Sequence, residues 1–196
     1  MDSKWNIYKE FSRLGKLLFQ QGMVSLTAGN ISVRKGDDIY ITASGSMLGD
    51  LRLEDIVVMP IKDHGFVPSG NLKKPSIESV VHKSIYEKTQ HKAIVHVHAP
   101  TAIAVSFNKN SITLADSEGK FYIPEVPVVA VNGGIASLDV AREIPPLLEK
   151  YPAVIIKGHG LFTAADDLAG ACSLASTVEF SAGILLNKEK YDRNNG

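Results

Sequence analysis

The 196-residue sequence has one cysteine, one tryptophan and no surplus of either charge, and each scarcity excludes something. A lone thiol, Cys172, cannot form an internal disulfide. Its setting in "AGACSLAS", a small-residue helical stretch, reads as a buried inert side chain rather than a nucleophile or ligand. Lysine plus arginine and aspartate plus glutamate number 21 each. No basic run is interleaved with aromatics, so no nucleic-acid partner is expected. There is no low-complexity tract, internal repeat or linker, and the length suits a single domain over residues 1–196. The opening segment "MDSKWNIYKEFSRLGKLLF" carries charges throughout and no unbroken apolar core. Neither a signal peptide nor a membrane segment is expected there, and a cytoplasmic location is.

What is present is ordinary globular patterning. Ile7, Phe11, Leu14, Leu17 and Leu18 recur at helical spacing over residues 3–21, and Gly22 is placed to end that helix. "NISVRKGDDIYIT" reads as two strands around a Gly/Asp turn and "DIVVMPI" as a third, which suggests antiparallel pairing. A second helix is expected to start at Pro75 and Ser76 in "PSIESVVHKSIYEKT". "AIVHVHA" and "AVIIKGHG" read as buried strands, "PTAIAVSFN" as helix and "PEVPVVAV" as extended. "SLDVAREIPPLLEKY" reads as a helix interrupted at its prolines, and "DLAGACSLASTVEFSAGILLNKEK" as a last long helix. The sum is an α/β protein, three layers α/β/α around a central mixed, largely antiparallel sheet.

Within "IVHVHAP", His96 and His98 are two apart, so strand alternation turns both imidazoles to one side. They are either ordinary core or surface histidines or part of a metal site. His159, between two glycines after the second buried strand, is a third candidate. Glu78 is expected in the first turn of the second helix, where negative charge is favoured, and His82 follows one turn later on the same face. His64 and His91 read as solvated loop residues. Three neutral imidazoles plus a carboxylate or water form the ligand set of a catalytic zinc. "LTAGNIS", "ITASGSM" and "KPSIES" add hydroxyls and backbone amides suited to an anion.

The ordered set "TAGNISVR", "ITASG", "KPSIES", "VHVHAPTAIAVS" and "KGHGLF" resembles the class II aldolase/adducin superfamily, especially its L-fuculose-1-phosphate aldolase group. That resemblance implies a zinc-dependent aldolase with one Zn2+ per subunit, cleaving a small ketose 1-phosphate to dihydroxyacetone phosphate and an aldehyde. His96, His98 and His159 match the zinc ligands, and Glu78 matches a carboxylate that both coordinates metal and acts as acid/base. Thr27, Asn30, Ser44, Gly45 and Ser76 match positions that hold the substrate phosphate, and His82 matches a histidine behind the ligands. A homotetramer with active sites at subunit interfaces is also implied. Two positions depart from the pattern. Ile77 stands where a second serine is usual, and the position of a tyrosine contributed by a neighbouring subunit falls near Ser117, flanked by Asp116 and Glu118, with Tyr122 the nearby substitute. The same scaffold hosts methylthioribulose-1-phosphate dehydratases, pentulose-phosphate epimerases and adducin-like binding domains. The last are expected to lack metal ligands that are all present here.

Overall fold

The structure is a computed structural model and describes residues 3–62, 73–131 and 137–195. His64 lies outside them. Among the described residues eight strands form one sheet in the order β3-β2-β1-β4-β8-β7-β6-β5, and six α-helices cover it. The strands are β1 (Asn30–Lys35), β2 (Asp38–Thr42), β3 (Ile56–Pro60), β4 (Ala93–Val97), β5 (Ser111–Ile112), β6 (Val126–Val129), β7 (Ala153–Ile156) and β8 (Gly160–Ala165). The helices are α1 (Ser3–Gln20), α2 (Ser79–Lys88), α3 (Pro100–Ser106), α4 (Ser117–Tyr122), α5 (Leu138–Leu148) and α6 (Leu168–Asn195). Among the described strands only β6 and β7 pair in parallel. The expected mixed, largely antiparallel three-layer α/β/α architecture is the one found.

Strand alternation divides the interior into two cores, one on each face of the sheet. Ile31 and Val33 of β1, Val95 and Val97 of β4 and Leu161 of β8 pack toward α1, α3 and α6. Ile94, Phe162, Ala164 and Val154 turn the other way, toward α2 and α5. Asn30, Ser32 and His96 are the buried polar residues of β1 and β4, and by the same alternation they lie on the α2 face. The β1–β4 register sets Asn30 directly beside His96.

Helix α1 buries Ile7, Phe11, Leu14 and Leu18, each contributing about 1.5–3 kcal/mol. Leu17, expected in that stripe, is 46% exposed because it is one helical step off the line joining Leu14 and Leu18. Gly22, at φ 70°, closes the helix while Met23 N–H reaches Leu18 O at 3.1 Å and Gly22 N–H reaches Phe19 O at 3.0 Å. Helix α6 is long and apolar enough by length and composition to cross a bilayer. Its Leu168, Ala171, Ala175, Val178 and Ala182 are buried in the core with β4, β8 and α3, as in a core helix.

Two expectations about helices are corrected. Helix α2 starts at Ser79 rather than at Pro75, because Ser76 N–H donates to Thr42 O at 3.0 Å and Ser44 N–H to Lys74 O at 2.9 Å. These bonds hold residues 74–76 extended along the end of β2, and Pro75 bridges Ala43. Helix α5 is not interrupted at its prolines but runs through Pro145 and Pro146. Pro145 cannot bond the carbonyl four residues back, and that carbonyl, of Ala141, instead accepts the Ser84 hydroxyl at 2.6 Å.

Candidate active site

Three strand ends and the entry to α2 meet at one point. His96 lies in β4, fully buried, with its ring stacked on Phe162 at 4.2 Å. Its Nδ1 lies 3.2 Å from Leu161 O, a group that can only accept, so the proton sits on Nδ1 and Nε2 faces the site with a lone pair. His98 follows the end of β4, and its backbone N–H donates to Met23 O at 2.9 Å. His159 stands in the tight β7–β8 turn, which Gly158 at φ 71° makes possible. Gly160 is required by close approach: a Cβ there would lie 2.6 Å from His96 Cε1 and 2.7 Å from Val97 O.

The ligand-capable nitrogens of His96, His98 and His159 all lie within 4.8 Å of one another. Glu78 closes the set, its Oε2 lying 3.0 Å from His96 Nε2 and its Oε1 3.6 Å from His159 Nε2. Among the described residues Glu78 Oε1 is buried with no hydrogen-bond partner. An ionised carboxylate turned onto imidazole lone pairs in a buried site is unfavourable unless a proton or a cation sits between them. Nitrogen and carboxylate donors arranged this way fit a divalent metal.

Glu78 stands at the cap position of α2, not in its first turn, and its side chain caps no helix amide. The carboxylate is directed into the site instead, held by Asn30 Nδ2 at 3.0 Å. Burial alone would raise its pKa, but where a proton lies between it and His96, that hydrogen bond and charge, the Asn30 amide and the neighbouring His159 outweigh burial and hold it well below the usual carboxylate range. Desolvation, followed by His96 and His159, lowers His98 to about 4 against the opposing pull of Glu78. His98 and Glu78 are thus kept in the forms that bind metal.

Behind the ligands, Glu78, His82 and Tyr86 follow at four-residue spacing along one helical face. His82 Nδ1 lies 2.7 Å from Ser32 Oγ, which lies 2.8 Å from Tyr86 Oη. His82 is wholly buried, and desolvation lowers its pKa to about 3. Its ring lies on the side of Glu78 away from the cleft lining, hydrogen-bonded to Ser32. Sequence reasoning does not single out Ser32 and Tyr86; the signal available is a serine two residues after Asn30 on the same strand face. His91 is not a solvated loop residue, because its Nε2 pairs with Leu148 O at 2.8 Å.

A cleft of about 230 Å³ opens over the site. Thr27, Asn30, Ser44, Gly45 and Ser76 all line it, together with Ile77, Glu78, His98 and His159. No lysine or arginine is among the described lining residues, so an anion here would be met by hydroxyls, backbone amides and the metal. Asn30 donates one amide hydrogen to Glu78, and Ser76 Oγ accepts from Glu78 N–H at 3.3 Å. Tyr122 is not brought to this cleft. It ends α4 with its side chain 57% exposed, packed edge-on against Phe121 at 5.0 Å. Asp116 caps α4 through Gly119 N–H at 2.9 Å, and Ser117 and Glu118 form the helix's first turn. Cys172 is buried, its thiol pushed up to about 12 by desolvation.

Relatives carry the same fold and sequence pattern. The L-fuculose phosphate aldolase of Methanocaldococcus jannaschii is 32% identical over 179 residues, covering 91% of this chain and 94% of its own. A "Probable bifunctional methylthioribose-1-phosphate isomerase/methylthioribulose-1-phosphate dehydratase" of Nocardia farcinica is 31% identical over 187 residues, covering 86% of this chain. This chain spans only a third (33%) of that protein's length. The crystal structure of L-fuculose-1-phosphate aldolase from Thermus thermophilus superposes with a TM-score of 0.88 at 36% identity, over 94% of this chain and 95% of that chain. The profile of the family described as "Class II Aldolase and Adducin N-terminal domain" matches residues 9–186, and the chain belongs to that family.

Proposed function

We propose that this protein is a zinc-dependent aldolase that reversibly cleaves a small ketose 1-phosphate, of the L-fuculose 1-phosphate kind, to dihydroxyacetone phosphate and an aldehyde. The observation that carries the reading is the convergence of His96, His98, His159 and Glu78 at the floor of a cleft walled by Thr27, Ser44, Gly45 and Ser76. His96, His98 and His159 would hold the ion with Glu78, and three neutral imidazoles suit zinc. Bound there, the ion supplies Lewis acidity to the negative charge that develops on the substrate carbonyl.

The chain's own groups do the rest. The cleft hydroxyls and amides fix the phosphate, so that the reacting carbons are delivered to Glu78 in one orientation. Cleavage takes a proton from the hydroxyl of the departing aldehyde, and the electron pair of the broken carbon–carbon bond passes to the dihydroxyacetone-phosphate half. Glu78, ionised at the floor of the cleft, would take up a proton as the hydroxyl loses one and deliver it to this carbon, which balances the step. The proposal includes a cytoplasmic homotetramer, in which Tyr122, turned away from its own cleft, serves the site of a neighbouring subunit.

Dehydration of a methylthioribulose 1-phosphate is the second reading. Ile77, 63% exposed on the cleft, supplies apolar surface where a serine hydroxyl would hold phosphate, and the Nocardia relative bears that activity in its name. A product assay on zinc-loaded protein separates the two, with fuculose, rhamnulose, ribulose and methylthioribulose 1-phosphates as substrates. Release of dihydroxyacetone phosphate supports the aldolase. Consumption of methylthioribulose 1-phosphate with no triose or glycolaldehyde phosphate supports the dehydratase and removes the aldolase reading.

A further inference from the structure

Helix α3 begins two residues after His98, and its sequence offers no cap. Ala99 stands at the cap position with no side-chain acceptor, and Pro100 has no N–H to give. The remaining donors of the first turn can be followed one by one. Ile103 N–H bonds Ala99 O at 3.0 Å. Thr101 N–H lies 2.9 Å and 3.1 Å from the two carboxylate oxygens of Glu179, and Ala102 N–H lies 2.9 Å from Oε2 of the same group. Glu179 comes from the middle of α6, far away in sequence, and no other side chain among the described residues meets these amides. The charge-assisted fork therefore fixes the turn His98–Ala99–Pro100–Thr101 from one side. Met23 O holds His98 N–H from the other at 2.9 Å.

We propose that Glu179 is a positioning residue of the metal centre: by clamping the Thr101 and Ala102 amides it sets the backbone direction at His98, and so the point at which that imidazole meets His96, His159 and Glu78. The inference rests on the metal reading given above. It also accounts for a part-buried carboxylate of α6 directed at the uncapped first turn of a seven-residue helix.

The test compares Glu179→Ala, Glu179→Gln and, as a control for loss of a cap in the opposite helical layer, Ser137→Ala, whose hydroxyl accepts from Val140 N–H at 3.2 Å. Three quantities are read: amide exchange at Thr101 and Ala102 in metal-free protein, the zinc dissociation constant by chelator competition, and the visible spectrum of the cobalt(II) form. In Glu179→Ala the two amides exchange faster, zinc binds about tenfold more weakly or worse, as for outer partners of metal ligands, and the cobalt spectrum changes. Glu179→Gln, which keeps one acceptor oxygen and guards against a variant that fails to fold, recovers part of each. Ser137→Ala alters none of the three. Faster exchange at Thr101 and Ala102 with wild-type zinc affinity and an unchanged cobalt spectrum overturns the inference alone. Wild-type protein that binds no more zinc than His96→Ala overturns the metal reading, and the inference with it.

Discussion

Replacing Gly160 by alanine adds one methyl group at the tightest point of the site. That carbon would sit 2.6 Å from His96 Cε1, 2.7 Å from Val97 O and 3.2 Å from His98 Cδ2. Ordinary carbon–carbon contact is about 3.5–4.0 Å, so the His96 ring must retreat by about 1 Å. It has nowhere to go, being stacked on Phe162 at 4.2 Å and tied to Leu161 O at 3.2 Å. The forced movement costs about 1–3 kcal/mol of overpacking, plus about 1 kcal/mol for the Leu161 bond it stretches. Metal-free Gly160→Ala should therefore unfold about 2–4 kcal/mol more easily, read by urea titration in chelator. Zinc affinity should fall about 10- to 100-fold. Gly183→Ala is the control: nothing lies within 4 Å of the added carbon, and a helical glycine is replaced, so stability should rise by about 0.5–1 kcal/mol. A Gly160→Ala protein with unchanged stability and zinc affinity would refute the packing argument.

Ser84→Ala should cost about 1–3 kcal/mol by urea titration, because it strands the buried Ala141 carbonyl that Pro145 cannot serve, while leaving zinc affinity alone. Loss of less than a few tenths would show that this carbonyl finds another donor. Metal-free protein should weaken as pH falls below about 6.5. His98 and His82 take up protons in the unfolded chain near 6.5 but in the folded chain only near 4 and 3, so the unfolded state binds more protons throughout that window. His82, wholly buried, contributes about 1.4 kcal/mol per pH unit across its part of the window, and the partly exposed His98 contributes less because solvent screens it. Glu78, whose folded pKa is depressed, adds a loss of the same sign only below its ordinary value of 4.5. A urea midpoint that stays level from pH 7 to pH 5 would contradict the burial of these imidazoles as neutral groups.

Much of this architecture is legible in the amino-acid sequence. Strands β1 to β4 and helix α1 can be read there because their periods are clean and their turns are marked by glycine and aspartate. Strand β8 escapes for a physical reason: "GLFTAA" is buried on both faces, carries no alternation and follows a glycine turn that reads as a loop. The two-residue β5 and the six-residue α4 are too short to leave a period. The continuation of α5 through Pro145 depends on a serine 57 residues away from the carbonyl it serves, which local reading cannot supply. Likewise Glu78 looks like a helix-start acid because the residues before it look helical. The pairing of residues 74–76 with the end of β2 delays the helix and turns the carboxylate inward.

The site divides in the same way. His96 and His98 can be paired from strand alternation, but their meeting with His159 is set by the β4–β8 and β7–β8 registers. Asn30 reads as a phosphate-site residue from its motif, and its contact with Glu78 is set by its register opposite His96, which local reading cannot supply. Glu179 has no local signal at all, since its partners are backbone amides of another helix.

The central claim is that metal held by three histidines, with Glu78 as the proton-handling group, carries out the cleavage. Its most direct test measures zinc affinity and dihydroxyacetone phosphate release side by side in wild type, His96→Ala, His98→Ala, His159→Ala and Glu78→Gln. Affinity and cleavage are expected to fall together in all three histidine variants, whereas Glu78→Gln, with the three imidazoles intact, weakens zinc less than they do and at saturating zinc still loses about 10²- to 10⁴-fold in rate. Cleavage by His96→Ala at the wild-type rate in the presence of chelator would contradict the claim.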